Sequence, residues 1–146
     1  MIEIKKPNML EVEQIMALSP QALFEGTLGR AKPSHEKIKK LVDPILEKGG
    51  YYLIATEDEQ LKGWILIGAS KDQFTDSATG FIYELYVLQP YRGQGISKRL
   101  MKSAIDELKL EGYPEVRLSA FAGNHAIQLY EKMGFAIRNI TMSLPL

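Results

Sequence analysis

The chain contains no cysteine. It can therefore form no disulfide bond, and it has neither a thiol nucleophile nor a thiolate ligand for a metal. A chain without cysteine suits a reducing compartment. The first six residues lack the apolar core of a signal peptide, and no apolar run approaches the length of a membrane span. Together these absences predict a soluble cytoplasmic protein that does not bind a membrane.

Net charge is also absent, because eighteen basic side chains balance eighteen acidic ones. Nothing in this balance favours nucleic acid or an anionic surface as a partner. The 146 residues contain no internal repeat, no low-complexity tract and no linker composition. With 45% apolar and 25% charged residues, the composition is that of an ordinary globular protein. The sequence therefore predicts a single domain over residues 1–146.

The hydrophobic pattern predicts strands and helices in an order typical of a mixed α/β sheet. Strands are predicted at residues 2–5, 51–56, 61–69, 80–88 and 116–121, and a last extended segment at Phe135–Leu144. Helices are predicted at residues 9–18, after an N-cap at Ser34, from Ile96 onward, and after Asn124. Residues 19–33 are expected to be irregular, and Pro44 is expected to kink or delay the second helix.

The stretch Tyr83–Ser97 has the pattern of a strand, a glycine turn and a helix start. Its apolar and aromatic run ends at a proline, which cannot donate to a sheet ladder. Gly93 and Gly95 permit a tight turn, and apolar residues from Ile96 onward fall on one helical face. Such a turn brings unpaired N–H groups to the positive end of a helix, and Arg92 would add a positive charge. The pattern predicts a phosphate site.

The spacing of this loop excludes two common nucleotide sites. A dinucleotide fingerprint requires a third glycine at position 98, where Lys98 stands, and no acidic residue closes a second strand at the expected distance. A nucleoside-triphosphatase loop requires four residues between its glycines and then Gly-Lys-Ser/Thr, which this chain lacks. A plain strand-to-helix turn without a ligand remains the alternative to an anion site.

Glu84 is the only charged residue in the predicted central strand, which is apolar on both faces. A carboxylate in that position must pair, reach water or gain a proton. Two interpretations stay open: a salt bridge to a neighbouring strand, or a base or amine-binding group beside a ligand. Asn124 and Tyr130 also have structural explanations, the first as a helix N-cap and the second as a packing residue.

Two segments give these residues a combined pattern. The first is Val87-x-x-Pro90-x-Arg92-Gly93-Gln94-Gly95-Ile96, and the second is Asn124-x-Ala126-x-x-Leu129-Tyr130-Glu131-Lys132-x-Gly134-Phe135. In this order and at this spacing they resemble the GNAT superfamily of acetyl-CoA-dependent N-acetyltransferases. The resemblance is specific over residues 80–136. It departs from the family at Ser97, which replaces a glycine or alanine, and after Phe135, where little room is left for the usual final hairpin.

The resemblance implies an α/β fold, namely a single-domain mixed, mostly antiparallel sheet flanked by helices. It implies acetyl-CoA as co-substrate, no metal, and a set of cofactor-binding residues that comprises Leu85, Val87, Arg92, Gly93, Gln94, Gly95, Ile96, Ser97, Asn124 and Tyr130. In this set the loop binds the pyrophosphate, the central strand lies along the pantetheine arm, and Asn124 holds that arm or its linkage.

For catalysis, the resemblance implies that Tyr130 serves the departing thiolate, and Glu84 is the candidate base for the amine. The acceptor would be a primary amine on a small molecule or a peptide, and a homodimer is left open. The competing interpretation is a non-catalytic acyl-CoA-binding sensor or interaction module on the same fold.

Overall fold

The computed structural model describes residues 1–146, which form one five-stranded sheet with helices on both faces. The sheet order follows the chain: β1 (Glu3–Lys5), β2 (Tyr51–Glu57), β3 (Gln60–Lys71), β4 (Ala78–Val87) and β5 (Val116–Leu118). The helices are α1 (Met9–Gly26), α2 (His35–Glu47), α3 (Ile96–Leu110) and α4 (Ala126–Lys132), with a 3₁₀ turn at Gln89–Tyr91. Strands β1 to β4 are antiparallel, while β5 is parallel to β4. The expected mixed, mostly antiparallel sheet is confirmed.

Each face of the sheet carries its own hydrophobic core. On one face, α3 packs its apolar stripe against alternating strand residues, with Leu100, Met101, Ala104 and Leu108 fully buried. On the other face, α1 and α2 contribute Ile15 and Ile38 to a cluster around the buried Trp64. The alternation of side chains along β2, β3 and β4 supplies both cores, so these central strands are apolar on both faces. No helix of the chain is both long and apolar enough to cross a membrane.

The prediction that the first helix ends before Ser19 is wrong, because α1 continues to Gly26. Ser19 and Pro20 are both buried within it, and the Ser19 hydroxyl donates to the Ile15 carbonyl at 2.7 Å. Packing on the sheet therefore outweighs the helix-breaking tendency of proline at this position. As a result, Leu23 and Phe24 lie on the last turns of a helix and not in a loop.

The second helix begins as predicted, since the Ser34 hydroxyl accepts from the Lys37 N–H at 3.1 Å. It runs through Pro44 to Glu47, so the predicted alternative of a late start is wrong. The predicted hairpin is confirmed as β2 and β3, joined at Asp58 and Glu59, which both have positive φ. Such a pair of residues is typical of the tight turns that match the twist of a hairpin.

Strand β4 positions the candidate site because it is paired differently along its two edges. Towards β3 it is paired over its whole length, with a bulge at Tyr83 between the pairs Leu66–Glu84 and Ile67–Ile82. Towards β5 it is paired only at Gly80, Phe81 and Ile82. From Tyr83 to Val87, therefore, the second edge of β4 has no strand partner.

The chain end differs most from its prediction. Strand β5 ends at Leu118, three residues before the predicted Phe121, and Phe135–Leu144 forms no strand at all. Beyond Phe135 the backbone makes no hydrogen bond to any other part of the chain. A strand requires a paired neighbour, and the single chain offers this segment none.

Candidate active site

The loop between β4 and α3 exposes a row of backbone donors. The N–H groups from Gly93 to Lys98 have no acceptor within the protein. Gly93 and Gly95 have φ values of 80° and 78°, in the left-handed region that glycine adopts without strain. Gly95 is the N-cap of α3, which has no side-chain cap. These unpaired N–H groups at a helix N-terminus have the geometry of an anion site.

A groove of about 180 Å³ connects this loop to the end of β4 and to α4. It is lined by Val87, Tyr91, Arg92, Gly93, Gly95, Ile96, Ser97, Lys98 and Leu129. The structure thus brings together the two segments that the sequence pattern combined, since Val87 and Leu129 are 42 positions apart in the sequence. The predicted loop residues lie in or directly beside this groove.

Two further donors lie along the open edge of β4. The Leu88 N–H donates to the Lys62 carbonyl on the β3 side at 2.9 Å. Because backbone polar groups alternate from side to side along a strand, the N–H groups of Leu85 and Val87 face the open edge. The Val87 carbonyl also faces the open edge, and it accepts a hydrogen bond of 2.8 Å from Arg92 Nε. The open edge therefore offers an extended ligand a row of main-chain partners next to the loop.

The Arg92 side chain turns away from the loop's N–H groups. Besides Val87, its guanidinium contacts a Glu25 oxygen at 2.7 Å, and Glu25 accepts from the Tyr86 hydroxyl at 2.8 Å through its other oxygen. Although burial opposes it, the hydrogen bonds from Arg92, Tyr86 and Gln21 lower the pKa of Glu25. Arg92 thus ties the loop to the last turn of α1.

Glu84 has no cationic partner, so the salt-bridge alternative is wrong. Its carboxylate accepts a hydrogen bond from the Trp64 indole N–H on β3. Burial disfavours the charged form and raises the pKa of Glu84 to about 7, and the Trp64 hydrogen bond opposes the shift only in part. The structure therefore contains a carboxyl that changes charge near neutral pH, on the face of β4 that α1 and α2 cover.

Tyr130 and Asn124 lie on either side of the start of α4. Tyr130 is partly buried, packs edge-on against Phe135 with ring centroids 6.0 Å apart, and has no hydrogen-bond partner for its hydroxyl in the protein. Burial raises the pKa of that hydroxyl, so it stays a donor at neutral pH. The prediction that Asn124 is the N-cap of this helix is wrong by one residue, because His125 occupies that position and has no side-chain cap. The Asn124 side-chain oxygen instead accepts from the Ala126 N–H at 2.9 Å and closes the turn that leads into α4.

Sequence analysis missed two residues of this site, Glu25 and Tyr86. Glu25 lies in the stretch that the sequence predicts to be irregular, and Tyr86 fits the apolar and aromatic pattern of the predicted central strand. Neither belongs to a motif, and their contact joins positions 61 residues apart. Burial, followed by the hydrogen bond to Glu25, raises the pKa of Tyr86 to about 12. No local signal in the sequence could have paired them.

Exposed apolar side chains lie in the connection between α1 and α2 and in the connection between β5 and α4. Leu28, at the α1–α2 connection, has a φ of 56°, which is unusual for a residue other than glycine. Its side chain approaches Gly123 in the β5–α4 connection, and the neighbouring Arg30 guanidinium lies 5.9 Å from the centre of the Phe121 ring. The α1–α2 and β5–α4 connections thus contact each other. No group of three or more His, Cys, Asp or Glu side chains is arranged to hold a metal.

Comparison with known proteins identifies the family. A sequence profile described as the acetyltransferase (GNAT) family matches residues 15–135. The uncharacterized N-acetyltransferase YdgE of Bacillus subtilis is 27% identical over 135 residues, which are 88% of this chain and 84% of that protein. N-alpha-acetyltransferase 30 of Saccharomyces cerevisiae is 44% identical over 57 residues, which are 38% of this chain and 32% of that protein.

The fold is shared with solved structures. One from Clostridium acetobutylicum, described as a predicted acetyltransferase with acetyl-CoA, matches with a TM-score of 0.78 and 18% identity over 99% of this chain and 96% of that one. At that identity the likeness concerns the fold alone. Since the family profile covers most of the chain, however, the chain belongs to the GNAT acetyltransferase family.

The raised pKa of Glu84 predicts how stability depends on pH. Between pH 4.5, the ordinary value, and about 7, the folded protein keeps a proton that the unfolded chain has released. The free energy of unfolding should therefore fall as pH rises through this window and level off above it, as far as Glu84 is concerned. In Glu84→Gln this contribution should be missing, so the variant gains stability relative to the wild type as pH rises.

Denaturant unfolding of both proteins at several pH values between about 5 and 8 measures the difference. The single tryptophan gives a second readout, because Trp64 donates directly to Glu84. Its fluorescence should titrate near neutral pH in the wild type and not in Glu84→Gln. A constant stability difference together with identical fluorescence titrations would contradict the raised pKa.

Proposed function

We propose that this chain is an acetyl-CoA-dependent N-acetyltransferase that transfers the acetyl group to a primary amine by direct attack in a ternary complex. The observation that carries the proposal is the row of unpaired N–H groups from Gly93 to Lys98 beside the open edge of β4. A diphosphate fits the first feature, and an extended amide-containing arm fits the second. Coenzyme A contains both groups in one molecule.

Acetyl-CoA supplies the thioester carbonyl, and the residues of the site bind and orient it. The N–H groups of Gly93, Gln94, Gly95, Ile96 and Ser97 hold the pyrophosphate, and the backbone of Leu85 and Val87 pairs with the pantetheine arm. A backbone N–H near Val87 on the open edge, at the thioester end of the arm, donates to the thioester oxygen and stabilises the negative charge that develops there. The Arg92 side chain fixes the loop through Val87 and Glu25, while Asn124 positions α4 beside the arm.

Glu84 removes the proton from the acceptor amine, directly or through water. An ordinary alkylammonium has a pKa near ~10.4, so most of the acceptor is protonated and cannot attack at neutral pH. A carboxyl with a pKa of about 7 is a stronger base than an ordinary glutamate, yet it is still largely ionised just above neutrality. An ammonium nitrogen has no free electron pair, so this proton moves to Glu84 before the nitrogen attacks. Once bonded to the carbonyl carbon, the nitrogen loses a second proton to water as the thiolate leaves.

Tyr130 acts on the leaving group. When the carbon–sulfur bond breaks, the electron pair remains on sulfur, and a donor near the thiolate lowers the energy of that step. The Tyr130 hydroxyl has no partner in the protein, so it is free to donate. Because a tyrosine is a weaker acid than a thiol (~10 against ~8.5), Tyr130 stabilises the thiolate by a hydrogen bond more than it protonates it.

The acceptor is a primary amine of a small molecule or a peptide. The match to N-alpha-acetyltransferase 30 of Saccharomyces cerevisiae covers only 38% of this chain, so it does not choose between the two. The acceptor would enter where the α1–α2 and β5–α4 connections meet, on the side of β4 that carries Glu84. The exposed apolar groups at that edge favour an amine with an apolar neighbouring group.

The cofactor assignment predicts a specific effect of Gly95→Ala. Gly95 and Gly112 both have positive φ, and an added Cβ would meet nothing within 4 Å at either position. Both alanine variants should therefore lose stability of about 1 kcal/mol from backbone strain alone. Only Gly95→Ala should weaken acetyl-CoA binding, by about tenfold or more, because only that strain displaces the loop's N–H groups.

Calorimetric titration with acetyl-CoA measures the two affinities, and a rise in melting temperature with ligand confirms binding to the folded state. S-acetylpantetheine, which lacks the diphosphate, should bind both variants alike. Equal acetyl-CoA affinities for the two variants, or no binding by the wild type at millimolar ligand, would remove the cofactor assignment.

Tyr130→Phe tests the leaving-group role. The substitution removes only the hydroxyl, so acetyl-CoA affinity should be retained while kcat falls by about tenfold to a thousandfold. Tyr113→Phe is the control, since Tyr113 is also partly buried against the same core cluster but lies before β5. Release of free thiol with a panel of amines gives the rates. If kcat of Tyr130→Phe equals that of the control, Tyr130 is a packing residue only.

Glu84→Gln tests the base in the same assay. In the wild type, kcat/KM should rise with pH along a limb with a pKa near 7. The limb should be absent in the variant, and kcat/KM should be low at every pH. A variant that keeps both the limb and the rate would assign deprotonation of the amine to water. If the wild type binds acetyl-CoA but releases no thiol with any amine in the panel, the sensor alternative is favoured.

A further inference from the structure

The C-terminal segment Ile137–Leu146, called the tail below, is apolar and uncovered. Four of its large side chains, Ile137, Ile140, Met142 and Leu144, are between 72% and 88% exposed. From Ile140 onward, apolar residues occupy every second position, which is the pattern of a strand with one buried face. The tail carries no charge after Arg138. Natural edge strands are usually protected by charges or bulges, so an unprotected apolar strand indicates a segment that is paired in the working protein.

Strand β5 lacks a neighbouring strand on one side. This strand is the last in the sheet order, so its outer edge has no partner. Its three residues are only partly buried, and the adjacent α4 has no fully buried residue. Partly buried apolar groups on both elements, among them Val116, Leu118 and Leu129, pack against the core without being covered on their outer side. One additional strand along β5 would pair the free edge and cover these groups.

The chain's own tail is not placed to supply that strand. Arg138 contacts the Asp72 carboxylate at 3.4 Å, and the same oxygen accepts from Arg117, the middle residue of β5, at 2.6 Å. Arg138, which is only the second residue of the tail, therefore already lies beside β5. The apolar positions from Ile140 onward come later in the chain, and none of them contacts a core cluster of its own protein.

We propose that two copies of this chain form a dimer by exchanging tails, each tail pairing as an additional strand along the outer edge of β5 of the other copy. Both complementary surfaces are present on one chain, so reciprocal exchange closes the assembly with two-fold symmetry and leaves neither surface unpaired. The strand then lies beside α4, which carries Leu129 and Tyr130, and supports that helix from its uncovered side. The assembly does not depend on the activity proposed above.

Size-exclusion chromatography with light scattering tests the dimer, with an expected mass of twice the 16.5 kDa of one chain. Ile140→Lys/Met142→Lys places two charges on the apolar face of the tail and should raise the dimer dissociation constant by at least about a hundredfold. Asn139→Lys/Thr141→Lys adds the same charges at the alternate positions and should leave the dimer intact. Circular dichroism and melting curves verify that both variants fold.

Cross-linking identifies what the tail pairs with, since the chain has no cysteine of its own. Ser119, just after β5, and Ser143, in the tail, are both exposed, and each is changed to cysteine in a separate chain. After the two variants are unfolded and refolded together, a short bismaleimide should join a Ser119→Cys chain to a Ser143→Cys chain.

Three results would overturn the exchange. The first is a wild type that stays monomeric over the accessible concentration range. The second is dimers cross-linked efficiently by Ser143→Cys alone, which would indicate that the tails pair with each other. The third is an equal rise of the dimer dissociation constant in both lysine variants. It would indicate that the added charge weakens the dimer whichever face of the tail carries it.

Discussion

The separation of β4 from β5 after Ile82 is the constraint on which the site depends. The two strands are paired at only three positions, and the bulge at Tyr83 lies where that pairing stops. An extra residue bends and twists a strand, so it directs the rest of β4 away from its neighbour. The N–H groups of Leu85 and Val87 are consequently left without a strand partner, although β4 remains firmly held by β3 on its other edge. A rigid strand with one open edge can bind an extended molecule without first being unpaired.

Most of the proposed binding contacts come from the backbone and few from side chains. The loop offers N–H groups held by two glycines with positive φ and by the first turn of α3, and these donors would be arranged before any ligand arrives. Side chains serve mainly to fix that backbone. Arg92 does so through the Val87 carbonyl and Glu25, and it thereby joins the loop after β4 to the last turn of α1. A change in α1 would therefore reach the loop through this one guanidinium.

What the sequence could predict was local. The glycine turn, the cap at Ser34 and the β2–β3 hairpin follow from residues a few positions apart, and all three were predicted correctly. The extension of α1 through Pro20 depends on burial against the sheet, and the Arg92–Glu25 contact joins positions 67 residues apart, so neither has a local signature. The tail shows the same limit, because its alternation predicts a strand but cannot supply the neighbour that a strand requires.

Glu84 shows how the surroundings of one side chain set its protonation. A carboxyl among apolar strand residues destabilises the ionised state, and a cationic partner would have removed that penalty and fixed the charge. The partner is instead the neutral indole of Trp64, which holds the carboxyl in place without keeping it ionised. Nearby, the buried Tyr52 hydroxyl has no hydrogen-bond partner and carries no charge at neutral pH. An environment of neutral groups around a carboxyl leaves its proton exchangeable near pH 7, which is the property a base for an amine requires.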